Sequence, residues 1–268
     1  MTRLLLFVLF ALAAPAPAAA AEVRALVVAS SYAGSADPAL RLANTLVDGH
    51  NIAEALRRAG VRDVRLVEEP DLARWDAEVA AFADRLGPSD IAVLYYAGHA
   101  IQVSGRNYFL AGDGVSLIDM ERMIPRFSGQ GRGAVLIVDA CRNNPFRRGS
   151  GADALAVEAA RNLSTVSVEE LAAAHRGLSQ LGNLRGMSVV AFFSTEPGNV
   201  AEDGAPGAGS PFAIAFAAEV RRRQSLDSAF RRVTQRVNRA TEGRQSPWRQ
   251  GDLPFDVYLA GMQSFPVP

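Results

Sequence analysis

The sequence predicts an α/β fold with a mostly parallel central sheet covered by helices on both faces, and three observations carry that expectation. Short β-branched runs alternate with amphipathic segments in the βαβα rhythm of such folds. One run, residues 134–141, has the near-continuous apolar pattern of a buried strand. The length also fits one α/β domain: without an N-terminal signal of 21 residues, about 247 remain (268 minus 21), enough for a single sizeable core.

The elements follow in chain order. Residues 23–30 read as a strand, 45–59 as a helix, 64–67 as a strand and 71–86 as a helix. In the last of these, Asp71 is the N-cap candidate, and Leu72, Trp75, Val79, Phe82 and Leu86 recur at helical spacing. A strand at 91–96, a hairpin around Gly105, a helix at 118–127 and a strand at 134–138 come next. The rhythm then breaks into a long excursion, 143–186, helical near 152–175, a length that in a compact domain marks a functional or mobile segment. A strand at 188–194, helices at 211–220 and 226–241, and a closing strand at 255–259 complete the expected order.

The first 21 residues read as an export signal. Arg3 precedes an apolar run over 4–14, and small residues follow to Ala21, with cleavage expected before Glu22. The apolar run is too short for a spanning helix, although an uncleaved anchor is the alternative. The expected mature form is therefore periplasmic or secreted, with no membrane span after signal removal. The 28 basic residues, all arginine, balance 28 acidic ones, so net charge favours neither nucleic acid nor an anionic membrane as partner.

An exported protein usually pairs its cysteines or lacks them, which makes the single cysteine, Cys141, a candidate for chemistry. It ends the apolar run 134–141, and in open α/β sheets reactive groups collect at the carboxyl ends of strands. A thiol with a free pKa of about 8.5 needs a base or a cation to become thiolate at neutral pH. Of three histidines, His50 lies in the first helix pattern and His175 in the excursion. His99 follows the strand 91–96 directly, among Ala97, Gly98 and Ala100, a position of the same kind as Cys141 on another strand.

Two blocks around these residues, YYAGHA (95–100) and VDACRNNPF (138–146), resemble the catalytic blocks of bacterial caspase-like peptidases, relatives of caspases and metacaspases. The likeness extends to LANTLVD (42–48), EPGNVAEDG (196–204) with SPF (210–212), and QSPW (245–248). It implies a three-layer α/β/α caspase-like fold over residues 22–268. It also implies a cysteine-type endopeptidase in which Cys141 is the nucleophile and His99 the acid/base. The oxyanion would be held by the backbone N–H groups of Cys141 and Ala100. Asp139 and Asp48 match an acidic first pocket that selects Arg or Lys before the scissile bond. The excursion matches a loop that many relatives cut, and it carries Arg147, Arg148, Arg161, Arg176 and Arg185.

Departures from the family pattern are visible. Ala100 stands where metacaspase-like members typically have Gly, Val47 and Gly49 flank Asp48 in place of the usual Asn and Ala, and Ala97 replaces a common Ser. Asp113 and Asp119 are present near a calcium-binding pattern, but Arg148 falls where another acid is expected, so neither metal nor cofactor is expected. No grouping has zinc spacing, and GQGRG (129–133) precedes a strand, which argues for a turn over a phosphate loop. The lack of a second cysteine argues against a thiol redox protein. A caspase-like module without catalysis, serving as an exported scaffold, is the alternative. For Asp139 and Asp48 the structural alternative is loop and helix capping.

Overall fold

The computed structural model of the protein describes residues 22–141, 178, 180–182, 184 and 186–260. The signal segment and most of the 143–186 excursion, with its expected helix and His175, lie outside them. In chain order the described elements are β1 (Val23–Ala29), α1 (Thr45–Ala59), β2 (Asp63–Glu68), α2 (Leu72–Ala83), β3 (Ile91–Val103), β4 (Arg106–Leu110) and β5 (Leu117–Asp119). Then follow α3 (Met120–Ser128), β6 (Gly133–Cys141), β7 (Val189–Phe193), α4 (Pro211–Glu219), α5 (Leu226–Ala240) and β8 (Trp248–Asp252).

The sheet runs β2-β1-β3-β6-β7-β8, with every pair parallel except β7 with β8. The distal part of β3 turns back through a hairpin into β4, which pairs in turn with β5. Because strand side chains alternate between faces, the central strands feed two separate cores. Val27, Val93, Tyr95, Val135 and Ile137 pack with α1, α4 and α5 on one face. Leu26, Val28, Leu94, Tyr96, Leu136 and Val138 pack with α2 and α3 on the other. The result is the expected three-layer α/β/α arrangement.

Local chemistry places several ends as expected. The Asp71 side chain caps α2 by accepting the Arg74 N–H, and Gly60 ends α1 at φ 107°, a conformation glycine adopts without steric cost. Several boundaries differ from expectation: α2 ends at Ala83, short of residue 86, and β6 runs on past residue 138 to Cys141. The strand predicted at 91–96 runs on to Val103, because its second half pairs with β4, so His99 lies within the strand. Residues 117–119 form a strand and the helix starts only at Met120, where Asp119 caps it by accepting the N–H groups of Glu121 and Arg122. The closing strand is Trp248–Asp252, antiparallel on β7, and residues 255–259 contribute only an isolated bridge from Tyr258 to Ser225.

Candidate active site

The ladder between β3 and β6 ends with the register pairs Ala97↔Asp139, Gly98↔Ala140 and His99↔Cys141. Two residues 42 positions apart (141 minus 99) are thereby held on adjacent parallel strands, whose backbones lie about 4.8 Å apart. The adjacency follows from the hydrogen-bonded register alone.

His99 is buried, 3 % exposed. Its Nε2 lies 2.9 Å from the Leu40 carbonyl. A carbonyl can only accept, so Nε2 carries the proton, and the neutral ring keeps its lone pair on Nδ1. Nδ1 is buried and has no hydrogen-bond partner among the described residues. Burial pushes the imidazole pKa down to about 4 against a smaller opposing effect of the Leu40 carbonyl, so the ring is a neutral base at physiological pH. His50, by contrast, is exposed on α1 and lies 3.0 Å from Glu68.

Asp139, two residues before Cys141, and Asp48 on the first turn of α1 are both buried. They meet at one residue, Ser210, the N-cap of α4. Its backbone N–H donates to Asp48 Oδ1 at 2.9 Å, and its hydroxyl donates to Asp139 Oδ2 at 2.6 Å. The same hydroxyl oxygen accepts the Ala213 N–H to cap the helix, and Pro211 fills the first helical position. The Tyr95 hydroxyl donates to Asp139 Oδ2 at 3.1 Å. Gly209, at φ 90°, completes the cradle: a Cβ there would lie 2.8 Å from Asp48 Oδ1.

A third carboxylate, Asp203, accepts the Ala43 N–H at 3.1 Å. Its loop is held by Asn44, whose amide donates to the carbonyls of Asp203 and Ala205 and accepts the Gly207 N–H. Asn44 precedes α1 but makes no side-chain cap to it, because its amide is committed to this loop. Burial first, then the charge of Asp139, raises the Asp48 pKa far above the usual carboxylate range. Burial also raises Asp139, against hydrogen bonds from Ser210, Tyr95 and Ser194, and it raises Asp203. Among the described residues no cation is a main influence on any of the three.

The sequence-predicted residues thus fall into two groups: His99 and Cys141 as register partners of β3 and β6, and Asp139 of β6 with Asp48 of α1 through Ser210. Ala100 is buried in β3 opposite Phe109 of β4. Asp113 and Asp119 are engaged locally, Asp113 by the N–H groups of Val115 and Ser116, and Asp119 by its helix cap and by Arg106. Sequence reasoning missed Leu40, which acts through a backbone carbonyl and so leaves no side-chain signal. It also missed Ser210, although a serine directly before a proline and an apolar run is a helix-start signature.

The caspase domain family matches residues 22–258, and the chain belongs to that family. Its members define a class of cysteine peptidases, and protein substrates come with that class. Two solved structures share the fold. A protein from Geobacter sulfurreducens superposes with a TM-score of 0.63 at 14 % identity, covering 90 % of this chain and 97 % of its own. Caspase-1 from Spodoptera frugiperda superposes with a TM-score of 0.55 at 15 % identity, covering 91 % of each chain. No curated protein sequence matches the chain.

Proposed function

We propose that the protein is an exported cysteine endopeptidase that uses a Cys141–His99 dyad to cleave after Arg or Lys. The observation that carries this reading is the register pair His99↔Cys141 at the end of the β3–β6 ladder. A neutral His99 whose Nδ1 has no partner among the described residues supports it further.

In this mechanism Nδ1 takes the thiol proton as the Cys141 sulfur attacks the peptide carbonyl carbon. The carbonyl oxygen becomes an oxyanion held by the N–H groups of Cys141 and Ala100. His99 then passes its proton to the leaving amine, the C–N bond breaks, and a thioester remains on Cys141. Water, deprotonated by the same nitrogen, hydrolyses the thioester and frees the thiol. The buried carboxyls of Asp139 and Asp48 form the base of the pocket, where a guanidinium or ammonium finds acceptors with no cation from the described residues in competition.

The test is to incubate the mature protein with peptides carrying Arg, Lys or Asp before the scissile bond, alongside Cys141→Ala. Cleavage of Arg and Lys peptides by the wild type alone is the expected result. Cleavage of Asp peptides only would remove the acidic-pocket argument, and no cleavage of any peptide would favour the scaffold alternative.

A further inference from the structure

Among the described residues His99 has one side-chain hydrogen bond, from Nε2 to the Leu40 carbonyl. A single hydrogen bond fixes a point on the ring but leaves rotation about that axis. A second residue removes this freedom. Tyr32, on the turn after β1, stacks on the imidazole with ring centroids 4.9 Å apart and planes at 28°. Its hydroxyl accepts the His99 backbone N–H at 3.0 Å and lies 3.0 Å from both the Leu110 carbonyl and the Tyr96 hydroxyl. The Tyr96 hydroxyl in turn reaches the His99 carbonyl at 2.7 Å. Two tyrosine hydroxyls thus hold both backbone polar groups of His99.

Two further observations show that the chain is shaped around this contact. Tyr32 sits at φ 56°, in the left-handed region that residues other than glycine rarely occupy, and its side chain is buried. A Cβ at position 98 would lie 2.4 Å from the Tyr96 hydroxyl and 2.8 Å from that of Tyr32, so the glycine before His99 leaves room for both. Strain that a surrounding structure over-determines is characteristic of functional sites.

We propose that Tyr32 is a positioning residue for His99, its hydroxyl fixing the backbone and its ring fixing the imidazole plane, so that Nδ1 stays the free edge of the ring. The inference rests on the assignment of His99 as the base. Tyr32 lies against the imidazole face and the His99 backbone, and it acts by keeping the imidazole in one orientation and away from water.

Tyr32→Phe and Tyr32→Leu in the full mature chain test this through kcat and KM on an Arg peptide and through NMR of the His99 ring nitrogens, assigned with His99→Ala. Tyr32→Phe keeps the stack and loses the hydroxyl; its kcat should fall several-fold, and that of Tyr32→Leu about 100-fold, the scale of loss for a misplaced group. KM should stay within about twofold in both, because ground-state binding is untouched. In Tyr32→Leu the His99 pKa should rise from about 4 toward the free value of about 6.5, as water reaches the ring. Folded variants with unchanged kcat and unchanged His99 signals would overturn the proposal. If Tyr32→Leu fails to fold, the kcat and ring tautomer of Tyr32→Phe decide. If the wild type cleaves no peptide, the peptidase reading fails, and the NMR measurement alone still shows whether Tyr32 orients His99.

Discussion

Asp48 and Asp139 differ from ordinary surface carboxylates in being buried, close to each other through Ser210, and without a cation from the described residues among their main influences. A substrate guanidinium would supply the missing charge. Removing one partner of a desolvated charge pair costs about 2 kcal/mol or more, so Asp139→Asn should lower kcat/KM on Arg peptides at least about 30-fold, with the larger share in KM. Steady-state kinetics against a neutral peptide checks this, since hydrolysis of that peptide should change little. Much of this site is legible in the sequence, because His99, Cys141 and Asp139 lie inside recognisable blocks, near the end of the β3–β6 ladder. The Ser210 bridge, the Leu40 carbonyl and the Tyr32 stack are not. They depend on turns that bring residues from four separate segments together, and on backbone atoms that every residue carries.

Helices α4 and α5 are tied by a buried charge. Glu219 at the end of α4 accepts the Arg236 Nε at 2.6 Å and the Gln224 amide at 3.2 Å. Burial works against this carboxylate, but the hydrogen bonds from Gln224 and Arg236 outweigh it and hold its pKa below the usual range. Glu219→Ala should therefore destabilise the protein by about 1–3 kcal/mol in denaturant titrations, the scale for a hydrogen bond to a charged group. The last strand shows where element prediction fails. Residues 255–259 alternate apolar and polar as a strand would, but Val257 and Leu259 are buried because they pack on the α1/α4/α5 core, where the Val257 carbonyl accepts the Leu226 N–H at 2.7 Å. The place beside β7 goes to Trp248–Asp252, whose polar residues and Gly251 give only a weak strand pattern, suited to a sheet edge.

For the whole molecule, these buried groups make stability depend on pH in two directions. The His99 pKa is lower folded than unfolded, so its contribution is present above about 6.5 and is lost as pH falls through about 4. The raised carboxyls act oppositely: the folded state binds more protons than the unfolded one, so their contribution is present below the ordinary carboxylate range and is lost as pH rises through their raised values. Asp48→Asn should accordingly raise Tm more at about pH 8 than at about pH 5, measured by thermal scans across that range. The overall architecture is the most legible level. The alternation of runs and amphipathic segments specifies a parallel sheet between two helical layers, whatever the error at single boundaries.

The crossover from Cys141 to Val189 joins two strands that are already side by side. β6 and β7 share register pairs from Ala134↔Val189 to Val138↔Phe193, and α4, which follows β7, packs on α1 and contributes Ser210 to the site. The two halves of the chain are therefore bound to each other by the sheet and the core, and Leu178 and Leu181, late in the connection, join that core. A nick within residues 142–177 should yield two fragments on a denaturing gel that still elute together in gel filtration and unfold as one cooperative unit. That outcome would make continuity of the chain there dispensable to the fold, so that the protein could be severed at that point without being taken apart.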